Sequence, residues 1–268
     1  MVLPFFLKEV ITIIMADNGS VNVPPQIRQL IDDGALFVIN DSGGKDSQVM
    51  KIKLAALIPK HQLVIIHSHL PEVEWPGVKE HIEKYAFDIP VYFTEARKTF
   101  FEMVLHRNKF PDMKNRQCTS DLKRGPIQKF INNYCRENRF LKVVNCIGLR
   151  AEESSSRAKK EVVRFRTDLS AKHRIQYEWL PIHDFTLSQV WNCITLAGQY
   201  PHWAYSKGMS RLSCCFCIMS SESDLKTAAT LMPELLERYS EIEERTGFTF
   251  IMPSKKHGKR TLKQIVNQ

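Results

Sequence analysis

The sequence predicts an α/β fold built on a parallel sheet, with a mainly helical, Cys-containing C-terminal region. Three observations carry that expectation. Apolar runs of strand length alternate with helix-patterned runs between residues 35 and 147, the pattern of strands joined by crossover helices. The first apolar run, residues 35–40, opens into a loop with two glycines at 41–47 and then a helix-patterned run at 48–58. Polar residues gather where the strands end, at the glycine loop, at His67 and His69, and at Gly148 to Arg150. Ligands of parallel sheets bind beyond the carboxyl ends of the strands.

The elements follow in order. Residues 16–27 are polar and contain proline, and 26–33 form a short helix before the first strand. The helix over 48–58 stops at Pro59, whose ring cannot continue it. A strand over 63–67, a helix over 78–87, a short strand over 91–94 and a helix over 99–110 come next. A helix over 127–137 leads into a strand over 141–147. Beyond it the pattern weakens: 148–157 is a polar loop, and 158–176 is charged with little periodicity. Trp179 to Asp184 leads to a helix over 187–196. Residues 200–217 form a loop rich in aromatics and cysteine, and a helical segment over 224–245 is divided at Pro233. The expected organisation is an N-terminal extension (1–28), a nucleotide-handling domain (29–200), and a C-terminal region (201–268) holding the Cys-rich loop, helical segment and basic tail.

Lys and Arg number 38 against 29 Asp and Glu, a formal charge of +9. That excess favours a polyanionic partner. It is concentrated: residues 107–142 hold ten Lys or Arg against three acids, and 253–268 add Lys255, Lys256, Lys259, Arg260 and Lys263 with no acid. The seven cysteines are odd in number, and three of them cluster at 214–217, unlike a secreted disulfide framework. A reducing compartment is expected, and the protein is read as cytoplasmic. Residues 1–14 are apolar but interrupted by charge, too short to span a bilayer, and without the basic region and cleavage site of a signal peptide. They read as an upstream-start extension or a docking segment, such as a homodimer interface. No membrane partner is expected.

The loop at 41–47 carries the first chemical reading. A strand, glycine loop and helix bring backbone N–H groups and a helix N-terminus to one point, a ready anion site. Lys45 adds a full charge, and Ser42 and Ser47 add hydroxyls. The alternative is a glycine turn in which Asp46 or Ser47 caps the helix. Counting separates the phosphate loops. Walker A needs a Gly five positions before its Gly-Lys pair and Ser or Thr after the Lys, where this chain has Ile39 and Asp46. The dinucleotide pattern fails as well, because Gly43 and Gly44 are adjacent and no third Gly follows.

What remains, Ser42-Gly-Gly-Lys-Asp-Ser47, resembles the PP-loop of ATP pyrophosphatases. Four further blocks stand in the order of the PAPS reductase branch of that superfamily: Glu72 to Trp75; Arg116 to Lys123 with Pro126; Gly148 to Arg150 with Glu153 and Ser154; and Gly208 to Cys217. The chain is identified as similar to that family over about residues 30–220. The resemblance implies an adenine-nucleotide α-hydrolase-like (PP-loop) sandwich. It further implies that ATP is cut between the α and β phosphates, with Ser42, Gly43, Gly44, Lys45, Asp46 and Ser47 holding the pyrophosphate. Lys45 would supply a point charge and Arg150 a bidentate grip, Asp46 would help hold Mg²⁺, and Gly148 would lie beside them. Lys123 and Arg157 are further phosphate contacts or solvated surface charges, and His67 and His69 approach the adenosine through backbone atoms.

The cysteines bear on the branch. Cys214 and Cys217 form a C-x-x-C, and Cys118 stands where iron–sulfur members of the family carry a ligand. With Cys215 as a further candidate, these thiols suit a [4Fe–4S] cluster. Zinc is the alternative, with His202 near in sequence, and free buried thiols the third reading. Cys135, Cys146 and Cys193 fall on helix- or strand-patterned runs and are expected in the core. Thioredoxin-linked PAPS reductases carry a catalytic Cys in a C-terminal Glu-Cys-Gly-Leu-His segment, whereas this sequence shows no cysteine after Cys217.

The expected function is therefore an ATP pyrophosphatase that adenylates a nucleic-acid substrate for sulfur transfer, similar to the enzymes of tRNA thiolation and DNA phosphorothioation. A cysteine desulfurase or another sulfur donor is the expected partner. The alternatives are a sulfonucleotide (PAPS or APS) reductase with an iron–sulfur cluster, and a non-catalytic nucleotide- or DNA-binding regulator.

Overall fold

In the computed structural model of the chain, residues 19–253 and 258–267 are described. The docking segment expected at residues 1–14, and Lys255 and Lys256 of the tail, lie outside them. Six strands form one sheet in the order β3-β2-β1-β4-β6-β5. They are β1 (Leu36–Asn40), β2 (Leu63–Ser68), β3 (Val91–Thr94), β4 (Lys142–Ile147), β5 (Val163–Phe165) and β6 (Ile175–Trp179). β1 pairs in parallel with β2 and with β4, and β4 pairs in parallel with β6. The α/β class with a mostly parallel sheet holds.

β1 lies between two parallel neighbours, which explains its sequence. Leu36, Phe37, Val38 and Ile39 are wholly buried, and a strand covered on both faces reads as a continuous apolar run. The register sets Ile39 beside Ile65 on one side and Cys146 on the other, so the polar residues that follow these strands emerge at one end of the sheet.

The helix after the glycine loop spans Lys45–Leu57, three residues earlier than the periodicity places it. It is buried on nearly every side: Lys45, Ser47, Gln48, Val49, Met50, Lys51, Ile52, Lys53 and Leu54 all lie inside. A helix covered all round has no amphipathic stripe to mark its start. It packs against the helix Leu187–Leu196, whose start is closed by a capping box between Thr186 and Gln189.

Two stretches differ from the sequence expectation. The charged run at 158–176 contains β5, an edge strand antiparallel to β6. β5 is three residues long, too short to show alternation. The tail is not a simple basic extension: Leu262–Val266 is helical, opened by a Thr261–Gln264 capping box. Its charges are engaged, Arg260 with Glu222 at 2.9 Å, Lys263 with Glu237, and Lys259 with the carbonyl of Gly247 at 3.0 Å. The segment expected over 224–245 is two helices, Glu222–Leu231 and Pro233–Thr246, divided at Pro233 as expected.

The chain divides into two compact units that interleave in sequence. The first holds the segment through His67, then Lys79–Tyr92 and Phe130–His202. The second holds Ser68–Val78, Phe93–Lys129 and the chain from Trp203 onward. In the second, the helices Glu222–Leu231, Pro233–Thr246 and Leu262–Val266 pack on one another, and Tyr239 of the second of them meets Phe100 and Phe101 of the helix Phe100–Arg107. No helix among the described residues is long and apolar enough to cross a membrane.

Candidate functional site

In the first unit the site begins at Asp41, the residue that leaves β1. Its carboxylate is buried, with Oδ2 2.6 Å from Lys51 Nζ. Its Oδ1 accepts from the Gly43 N–H at 2.8 Å and from the Ser47 hydroxyl at 2.8 Å. Burial alone would raise the Asp41 pKa, but the charge and hydrogen bond of Lys51, with the donors of Gly43 and Ser47, hold it below the ordinary carboxylate value. Asp41 therefore fixes the loop from within. The ring Nδ1 of His67 lies 2.7 Å from the Asp41 carbonyl oxygen. His67 thus supports the loop backbone through its side chain.

The loop turns its Ser42 and Gly43 N–H groups inward, to Ser47 and Asp41, and leaves the helix start behind them uncapped. Gly43 has φ +73°, a conformation that residues with a Cβ rarely adopt. Gly44 is the N-cap of the helix Lys45–Leu57, and no side chain caps that end. The capping alternative fails, since Asp46 and Ser47 lie inside the first turn and Ser47 turns its hydroxyl back to Asp41. Helix N-termini leave several N–H groups without intrahelical partners, and an uncapped one with Gly before it is an anion cradle. Gly148 explains its own identity: a Cβ there would stand 3.1 Å from the Cα and N of Ser47 and 3.2 Å from the carbonyl carbon of Asp46. A side chain there would crowd the backbone of this first turn, which would have to give by a few tenths of an ångström.

Asp46 sits between two cations. Its Oδ1 accepts from Arg150 Nε at 2.6 Å, and its Oδ2 lies 3.4 Å from Lys45 Nζ. Lys45 also lies over the ring of Trp191, 5.9 Å from its centroid. Arg150 is 4% exposed. Beyond Asp46 its guanidinium reaches Glu152 and, at 3.4 Å, the carbonyl of Phe185. Burial would lower the Arg150 pKa, but Asp46, Glu152 and Glu153 together raise it. The loop it opens is held by its own acids: Glu153 accepts from the Arg150 N–H at 3.1 Å and pairs with Arg157. The carbonyl of Arg157 meets His183 Nε2 at 3.0 Å. Ser42, Gly43, Gly44, Lys45, Asp46, Ser47, His67, Gly148 and Arg150 are thus brought together, with Arg157 joined to them through Glu153.

The second unit carries the other group of expected residues. Lys123 lies in a π-helical stretch, Ser120–Arg124, a distortion frequent at functional sites. Charges of Cys214, Glu74, Cys217 and Cys118 act on it, Cys214 most strongly, and raise its pKa. Burial, Cys217 and Cys118 push the Cys214 thiol up to about 11 against the pull of Lys123. Burial, then Cys217, raises Cys118 as well. The Met219 N–H points to Cys217 Sγ at 3.5 Å. Cys215 is wholly buried, its N–H is bonded to the Val73 carbonyl at 2.8 Å, and the charges acting on its thiol come from Cys214 and Glu74.

Cys118, Cys214 and Cys217 are all half-buried. The residue types are those of an iron–sulfur or zinc site, but among the described residues no three of these thiols lie within 4.8 Å of one another, so they do not form a preformed donor set for a single metal ion. His202 belongs to the first unit, where its ring meets that of His81 edge-on at 5.6 Å. Cys135, Cys146 and Cys193 are buried as expected.

Sequence reasoning assigned no role to Lys51, Trp191 or Tyr239. A buried lysine in a helix reads as a surface charge, and only its place one turn beyond the loop hints otherwise. Tyr239 is wholly buried, T-shaped to Phe101 and Phe216 and stacked on Phe110, with its hydroxyl 3.2 Å from the Phe216 carbonyl. It floors the cysteine loop.

A family model described as the phosphoadenosine phosphosulfate reductase domain matches residues 37–220, most of the chain and both groups of residues. The chain belongs to that family. Relatives within reach of sequence include an uncharacterized protein of Methanocaldococcus jannaschii, 26% identical over 216 residues, which cover 79% of this chain and 49% of the relative. An uncharacterized 37.8 kDa protein of Escherichia phage 186 is 27% identical over 172 residues, covering 62% of this chain and 50% of the relative. The chain spans about half the length of the curated relatives it matches. Among solved structures, this member of the PAPS reductase family is similar to Candida glabrata FMN adenylyltransferase, with TM-score 0.46 and 14% identity over 78% of this chain and 62% of that one. It is also similar to phosphoadenylyl-sulfate reductase from Candida auris in a phosphate complex, with TM-score 0.44 and 14% identity over 73% of this chain and 98% of that one.

Proposed function

We propose that this chain is an ATP pyrophosphatase of the PAPS reductase family, cutting ATP at the α–β bond to adenylate a nucleic-acid substrate for sulfur transfer. One observation carries the reading: the uncapped start of the helix Lys45–Leu57 behind Gly43 and Gly44, held rigid by Asp41, Lys51 and Ser47. Donors fixed before the reaction are worth more than donors that must reorganise, because charge develops where they already point. Here the charge that develops is on the departing pyrophosphate.

In this reading an oxygen of the substrate attacks the α-phosphorus and pyrophosphate leaves into the loop. Lys45 neutralises it. Asp46, whose Oδ2 lies near Lys45, would help hold a Mg²⁺ ion, which would neutralise phosphate charge. Arg150 is a positioning residue, since its Nε holds Asp46 Oδ1. A sulfide equivalent from a separate donor then attacks the activated carbon, and AMP leaves with the substrate oxygen. A thiolate-bound group would be held by Cys118, Cys214 and Cys217, and would supply sulfur or electron chemistry. The excess of Lys and Arg at 107–142 supports a nucleic-acid substrate.

The family match over residues 37–220, with Cys118, Cys214 and Cys217 in one unit with Lys123, favours one second reading, a sulfonucleotide reductase. Incubation with ATP and Mg²⁺, or with PAPS and no ATP, separates the two. Pyrophosphate from ATP that disappears in Lys45→Ala supports the first, and sulfite from PAPS supports the second.

A further inference from the structure

The first unit carries a second cationic site, away from the glycine loop. Leu141 immediately precedes β4 and Arg174 immediately precedes β6. Both strands run parallel to β1 through the pairing of β1 with β4 and of β4 with β6. The glycine loop leaves the carboxyl end of β1, so these residues lie at the opposite end of the sheet. There, Arg136, Arg139, Lys172 and Arg174 line a groove whose apolar part is Phe140 and Leu141. His173 lines it too, and no carboxylate does.

Several cations elsewhere in the molecule are tied to a carboxylate. Lys51, Lys142, Arg157, Arg166, Arg260 and Lys263 each pair with Asp or Glu. Among the described residues, Arg136, Arg139, Lys172 and Arg174 form no ion pair. Arg174 bonds Asn132 Oδ1 at 2.6 Å, yet its buried Nε has no acceptor. Arg139 occupies the left-handed region with φ +59°, just past the helix Gly125–Glu137. Glycine is the ordinary residue there, because a Cβ is strained in that conformation. Leu141 is 63% exposed in the middle of these charges.

We infer that this groove binds single-stranded nucleic acid, with Arg136, Arg139, Lys172 and Arg174 along the phosphates and unstacked bases against Phe140 and Leu141. Cationic grooves with an apolar floor hold single strands, because every base presents a face to stack and every nucleotide a phosphate. A duplex hides its bases and gains nothing from that floor. The groove's role is to hold the polymer; it needs no ATP and stands apart from the reaction proposed above.

The test is fluorescence anisotropy with a labelled single-stranded oligonucleotide, as DNA and as RNA, and with the DNA duplex of the same sequence, without nucleotide, over a salt series. The variants are Arg139→Gly with Lys172→Gln, and separately Leu141→Ala. The control is Lys60→Gln with Lys207→Gln, which removes the same charge elsewhere. The double variant is expected to bind either single strand about tenfold more weakly, with the slope of log affinity against log salt reduced by about 1.4, two contacts at about 0.7 each. Its thermal midpoint should stay level or rise, because glycine relieves the left-handed position. Leu141→Ala should weaken single-strand binding and spare the duplex. Unchanged affinity and slope in the double variant, an equal loss in the control pair, or tighter binding of duplex than of single strand would each overturn the inference.

Discussion

Lys51 Nζ lies 2.6 Å from Asp41 Oδ2, with both side chains only 1% exposed, directly behind the glycine loop. An ion pair this deep contributes little net attraction after desolvation, but removing one partner strands the other charge. Lys51→Met should therefore destabilise the protein by roughly 3–5 kcal/mol, read by urea denaturation. Lys51→Met with Asp41→Asn should cost less than the sum of the two single changes. Additive losses would show that the pair is not coupled.

A second consequence concerns pH. Burial, then the neighbouring His202, Lys51 and Lys84, lower the His81 pKa to about 4 despite the opposing charge of Asp41. The native state thus prefers neutral His81, whose Nε2 has no hydrogen-bond partner among the described residues. The sign follows: this contribution is whole above the unfolded value of about 6.5 and is lost as pH falls from there toward 4. Wild type should lose about 2 kcal/mol over that window, after allowance for the partial exposure of the ring. His81→Phe should flatten the dependence, and an unchanged slope in that variant would count against the assignment. Asp41 adds stability of the usual carboxylate kind, present above its unfolded value and lost only in stronger acid.

Gly148→Ala tests the close approach at the first helical turn. The added Cβ meets backbone, not a movable side chain, at 3.1 Å from Ser47. The backbone must give by a few tenths of an ångström, short of the ~1 Å misplacement that costs about a hundredfold at a reacting centre. Pyrophosphate release should fall by up to roughly tenfold, with the far-ultraviolet circular dichroism retained. Full activity in this variant would mean that the first turn does not carry the chemistry.

The cysteines separate by their surroundings. Cys118→Ala, Cys214→Ala and Cys217→Ala should each lower bound metal, while Cys215→Ala should keep it, because Cys215 is buried against Val73. Anaerobically purified protein should be brown, with iron and sulfide. Stoichiometric zinc with no visible absorbance would assign the thiols to zinc. In metal-stripped protein, alkylation of Cys214 should be slow at neutral pH and accelerate toward pH 11, since the reactive thiolate forms only near its raised pKa of about 11.

The legible and hidden parts of the molecule divide along physical lines. The run at 35–40 could be read because β1 is covered on both faces and so is apolar throughout. Ser42 to Ser47 could be read because an uncapped helix start needs glycine before it. Gly148 and Arg150 came from their order relative to that loop, not from any periodicity. Lys51 and Lys53 could not be read, since their burial depends on helices contributed much later in the chain. β5 was missed because three residues on a sheet edge show no alternation. The pairing of Arg260 and Lys263 with Glu222 and Glu237 was equally hidden: a basic tail shows its charge in sequence but not its partners. Tyr239 looked like any helix residue, and only the ring packing around it marks it as the floor of the cysteine loop.

In the proposed reaction the loop at Ser42 to Ser47 cuts ATP between the α and β phosphates. The most direct measurement is the identity of the products formed from ATP and Mg²⁺ in the presence of single-stranded nucleic acid. Pyrophosphate together with AMP or an adenylated product, abolished in Lys45→Ala, is the predicted result. ADP with orthophosphate, or pyrophosphate that persists at the same rate in Lys45→Ala, would contradict the account.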